Sequence, residues 1–100
     1  MAAASGRGVA VVTGGSAGLG RAIVRELAHR GWDVAVLARG RDGLDGAVAD
    51  IEAAGRRAHA VSVDVADADA VDRAAADVEG ALGPIDLWVN NVMSGAIATF

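Results

Sequence analysis

Val9-Ala10-Val11-Val12-Thr13-Gly14-Gly15-Ser16-Ala17-Gly18-Leu19-Gly20 is the stretch that decides how this chain folds. The run 9–12 is short, apolar and rich in β-branched residues, which predicts a strand buried on both faces. Glycines then predict a turn, and a helical period runs from 18 to 30. Leu19, Ala22, Ile23 and Leu27 fall on one stripe, with Arg21, Arg25 and His29 on the other. Gly31 supplies the stop.

Working outward, the same alternation repeats. Residues 34–38 (Val-Ala-Val-Leu-Ala) predict a second buried strand. Asp42 can cap a helix that carries Leu44, Val48 and Ile51 on one face and closes at Gly55. A third strand is expected over 58–63. Asp67 then caps a helix with Val71, Ala74, Val78 and Leu82 inward, stopped by Gly83-Pro84. A fourth strand covers 85–89 and is broken by Asn90-Asn91. Strands joined through helices of this length run parallel with right-handed crossovers. The expected fold is therefore α/β, a Rossmann-type doubly wound parallel sheet of order 3-2-1-4 that stops after its fourth strand. All 100 residues are read as one partial dinucleotide-binding domain.

The turn between the first strand and helix carries the chemistry. Gly14 permits backbone angles that a β-carbon resists, Gly18 lets main chain approach a ligand, and Gly20 lets the helix lie close to the strand. Free N–H groups at the helix start, aided by its dipole, suit a pyrophosphate. A Gly-rich string alone is weak evidence, but its place between a buried strand and an amphipathic helix is the confirming context.

Composition removes several other functions. The formal charge is -4 and the aromatics amount to 3%, which argues against a nucleic-acid partner. The chain has no Cys and no Tyr, and its nine basic residues are all Arg. Disulfides, thiolate chemistry and any mechanism needing a phenol or amine are thereby excluded from these residues. The first eight residues lack the apolar core of a signal peptide, and the apolar runs fall far short of the ~20 residues of a membrane span. No membrane contact and a cytoplasmic location are expected. Asp64, Asp67, Asp69 and Asp72 do not follow a calcium-loop pattern, since Val71 and Asp72 occupy its fifth and sixth positions. His29 and His59 are expected to be solvated, with Trp32 and Trp88 packed near strand ends.

Thr13, Gly14, Gly18 and Gly20, together with Asp64-Val65 and Asn90-Asn91, resemble the classical short-chain dehydrogenase/reductase family. That family carries Thr-Gly-x-x-x-Gly-x-Gly in the first turn, Asp/Asn-Val after strand three and Asn-Asn-Ala-Gly after strand four. The first two motifs are matched in full. The third is half matched, since Val92 and Met93 replace Ala and Gly.

The resemblance implies a nicotinamide dinucleotide as cofactor. It places Gly14, Ser16, Ala17, Gly18 and Leu19 around its phosphates and Asp64 against the adenine amino group. Val65 then lies on the ring, and Asn90 and Asn91 steady the sheet and line the adenosine side. The residue selecting between cofactors lies at the end of strand two, about 20 residues past the glycines. Arg39 stands there, and a guanidinium matches a 2′-phosphate in charge and geometry, so NADP(H) is favoured over NAD(H). Ser16 could add a hydroxyl donor. Asp33 opens strand two and so lies at the wrong end to select NAD. The bland alternatives are a solvated turn at Arg39-Gly40-Arg41 and an end-of-strand Asp64 that only feeds the next helix.

The family's chemistry rests on a Tyr-x-x-x-Lys pair and an upstream Ser, all beyond the equivalent of Phe100. The expectation is the N-terminal NADP(H)-binding part of an oxidoreductase acting on a carbonyl/alcohol pair. Such a substrate would be engaged only in a longer form, and this chain would be inactive alone. The alternatives are a non-catalytic nucleotide-binding module completed by another chain and an inactive remnant. Strand four, as an open apolar edge, could support self-association.

Overall fold

Valine-rich segments build the centre of the sheet, because β-branched side chains suit a pleated surface covered on both sides. The computed structural model describes residues 6–91. Its strands are β1 (Gly8–Thr13), β2 (Trp32–Ala38), β3 (Ala58–Ser62) and β4 (Ile85–Asn90). The helices between them are α1 (Gly18–His29), α2 (Arg41–Ala53) and α3 (Ala68–Leu82). All pairings are parallel, in the order β3-β2-β1-β4, the topology expected from the sequence.

Alternation along the inner strands splits the core into two layers. Val12, Val34 and Val36 face α1 and α2, where they meet Val24, Ala28, Leu44 and Ile51. Val9, Val11, Ala35 and Leu37 face α3, where they meet Ala74, Val78 and Leu82. Fully burying a residue such as Leu44 or Ile51 contributes about 1.5–3 kcal/mol. Trp32 packs against the first layer and Trp88 against the second.

Helix α1 differs from the expected stripe. Gly20, Val24 and Ala28 form its buried line, Ile23 and Leu27 are half-buried, and Leu19 and Ala22 are exposed. The helix meets the sheet through its smallest residues. A Cβ on Gly20 would stand 2.1 Å from the Gly14 carbonyl oxygen. This close approach turns the helix away from the phase that its larger apolar residues suggest. Arg21 is correspondingly half-buried and, with Arg25, binds Asp50 of α2.

Helix α2 is also capped otherwise than expected. The Gly40 carbonyl accepts from Leu44 N–H (3.0 Å), so the helix begins at Arg41. Asp42 then falls inside the first turn, where its charge complements the dipole but its side chain caps nothing. Asp67 does cap α3, accepting from Ala70 N–H at 3.1 Å.

The amino-terminal edge of the sheet is tied by a carboxylate that periodicity does not reveal. Asp33, with 8% of its side chain exposed, pairs with Arg56 (3.0 Å) and Arg57 (2.9 Å). Arg57 also donates to the Leu82 carbonyl, joining the start of β3 to the end of α3. His59 is not simply solvated, since it lies 2.7 Å from Asp77 of α3.

Burial pushes the Asp33 carboxyl up, but the Arg57 hydrogen bonds and the two guanidinium charges outweigh it and leave it lowered. Hydrogen bonds from Arg21 and Arg25 hold Asp50 at about 2. Both carboxyls bind protons more readily when unfolded, so their contribution is complete above the unfolded value of 3.8. It is lost as pH falls from there toward the folded values. The unfolding free energy from urea titrations is expected to fall across pH 5 to 2, with Asp50 contributing on the order of 1 kcal/mol and Asp33 acting in the same direction. Asp50→Asn should flatten that slope, and an unchanged slope would exclude Asp50 as a contributor.

Candidate functional site

The carboxyl ends of β1, β2 and β3 open onto one cleft of about 490 Å³. Small-molecule sites span roughly 300–1,000 Å³, and in parallel sheets they sit at this edge. Ser16, Ala17 and Gly18 form one wall, Ala38, Arg39 and Gly40 the second, and Val63, Asp64 and Val65 the third.

The first wall owes its shape to two left-handed glycines, Gly14 (φ +70°) and Gly18 (φ +56°). Gly14 N–H donates to the Leu37 carbonyl at 2.7 Å, which holds the turn against β2. Ala17, in extended conformation, caps α1 with no side-chain hydrogen bond, and the first helical turn holds no acidic residue. The opening N–H groups of α1 thus meet neither a capping side chain nor a competing carboxylate of that turn, as an anion cradle requires.

Gly14, Ser16, Ala17, Gly18, Arg39, Asp64 and Val65 all line this cleft. Leu19 follows Gly18 on the first turn of α1 and is 63% exposed, while Val65 is 45% exposed. These are the large hydrophobics left exposed among the described residues; Val65 lines the cleft, whereas Leu19 is not one of its lining residues.

Asn90 and Asn91 do not line the cleft; they hold its floor. Asn91 Nδ2 donates to the Gly14 carbonyl at 3.0 Å, and Asn91 N–H donates to the Thr13 hydroxyl at 3.2 Å. The Asn90 carboxamide oxygen accepts from Trp88 Nε1 (2.9 Å) and from the Thr13 hydroxyl (3.2 Å). Val92 and Met93 lie outside the described residues.

Arg39 and Asp64 meet each other across the cleft. Arg39 Nη2 lies 3.2 Å from Asp64 Oδ2, and Asp64 Oδ1 accepts from Ala66 N–H at 3.0 Å. The backbones beneath are pinned as well, since Val63 N–H donates to the Ala38 carbonyl and Ser62 Oγ to the Arg39 carbonyl. Asp33, paired in register with Val9, lies at the opposite edge.

Sequence reasoning passed over Gly43. A Cβ there would stand 2.8 Å from Ser16 Cβ, so α2 seats against the glycine turn through a missing side chain. A glycine three residues after Gly40 on a helix otherwise built for packing was the available signal.

The short chain dehydrogenase family model matches residues 8–99. An uncharacterized oxidoreductase of Mycobacterium tuberculosis is 45% identical over 84 residues, which cover 84% of this chain and 32% of the relative. L-sorbose reductase of Gluconobacter frateurii, solved with NADPH and L-sorbose, superposes with a TM-score of 0.81 at 36% identity. That match covers 92% of this chain and 36% of the reductase. An NAD+-bound xylitol dehydrogenase superposes with a TM-score of 0.82 at 31% identity, covering 86% of this chain and 33% of that one. The chain spans about a third of the length of these relatives. Glycine turn, strand order and these matches agree, and the chain belongs to the short chain dehydrogenase family.

Proposed function

We propose that these residues form the dinucleotide-binding part of an oxidoreductase that moves a hydride between NADP(H) and a carbonyl/alcohol pair. The observation that carries this reading is the cleft itself: an uncapped helix start and two left-handed glycines on one side, and a guanidinium on the other. A pyrophosphate fits the first wall, where Gly18 leaves no side chain in the way. Val65 and the end of β2 would hold the adenine, and Arg39 would supply the cation for a phosphate on its ribose. The cofactor, when bound, supplies the hydride. This chain's own residues bind and orient its adenosine diphosphate half. The proton donor that the family resemblance implies needs a phenol and an amine, and these 100 residues contain neither Tyr nor Lys.

The test is fluorescence titration of the chain with NADPH and with NADH. NADPH is expected to bind about ten-fold more tightly, as one charged hydrogen bond allows. No turnover is expected with either. Equal affinities would remove the NADP(H) assignment, and absence of both would remove the site.

A further inference from the structure

We propose that Asp64 is an internal anion that competes with a 2′-phosphate for Arg39, and so sets how strongly the site discriminates phosphorylated from unphosphorylated dinucleotides. This rests on the reading of the cleft as an adenosine site.

Among the described residues, the charged side chains that line the cleft are these two, so its cation is paired with its anion. Asp64 is held for that purpose. Its Oδ1 accepts from Ala66 N–H, which fixes the carboxylate and leaves Oδ2 directed at the guanidinium. The pair is not needed to hold β2 against β3, since the Val63–Ala38 and Ser62–Arg39 hydrogen bonds already do so. Arg39 is 77% and Asp64 48% exposed, so solvent screens the pair and keeps it exchangeable. A 2′-phosphate that takes Arg39 Nη2 must displace this carboxylate, and one that takes the other guanidinium N–H groups meets a cation already paired with it. A ribose with a free 2′-hydroxyl has no such contest. Asp64 therefore lowers the selectivity that Arg39 alone would confer.

The experiment compares adenosine 2′,5′-bisphosphate with adenosine 5′-monophosphate, which differ only in the 2′-phosphate. Each is titrated by chemical-shift changes into the full chain. Asp64→Asn keeps an oxygen for Ala66 N–H and removes only the charge. It is expected to raise the affinity ratio in favour of the bisphosphate about threefold. In an Arg39→Ala background the same substitution is expected to change that ratio by less than about 1.5-fold. An equal rise in both backgrounds would show plain charge repulsion and overturn the competition for Arg39, as would no rise at all. If the unsubstituted chain binds neither probe, the adenosine site fails along with this inference. Binding with a 2′-phosphate preference that Asp64→Asn leaves unaltered sinks this inference alone.

Discussion

Gly20→Ala is expected to destabilise the chain by about 3 kcal/mol and to abolish dinucleotide binding. The added methyl would stand 2.1 Å from the Gly14 carbonyl oxygen and 2.5 Å from Asn91 Nδ2. The first neighbour is backbone and the second belongs to a side chain already bonded to it, so neither yields cheaply. Helix α1 must lift off the turn, which separates the opening N–H groups from the second and third walls. In a domain of this size the melting temperature should fall by more than about 10 °C. Gly80→Ala is the control, because Gly80 lies within α3 with nothing within 4 Å of its added Cβ. That change should stabilise by roughly 1 kcal/mol through helix propensity. Similar melting temperatures for the two variants would show that the close approach at Gly20 has no energetic weight.

Arg39→Asp is expected to weaken NADPH binding ten- to a hundred-fold, the loss of one charged hydrogen bond of about 1.5–3 kcal/mol. The new carboxylate can accept from a ribose hydroxyl, so NADH binding should hold or improve, and the preference should invert. Fluorescence titration with both cofactors gives the ratio. A ratio that stays where it began would remove Arg39 from selection.

Much of this was legible in the sequence because period and punctuation carry it. The strand order followed from four apolar runs separated by helices, and the cleft walls from the motifs at Gly14, Asp64 and their neighbours. The phase of α1 was not legible. Hydropathy weighs Leu19 above Gly20, whereas burial at a close helix–sheet contact selects the smallest side chain. Asp42 looked like a cap because its residue type is right, but the backbone of Gly40 had already begun the helix. The contacts Arg39–Asp64 and Asp33–Arg57 join positions more than twenty residues apart, and no local pattern encodes which opposite charges will meet.

The clasp from Asn91 to Gly14 spans 77 residues of chain. Synthesis delivers the glycine turn 77 residues before its clasp, so the phosphate cradle cannot assume final form until the fourth strand has emerged and docked. Closing so long a loop slows folding. A nascent chain paused before Asn91 would hold every residue of the glycine motif and still lack the rigid cradle that a dinucleotide recognises.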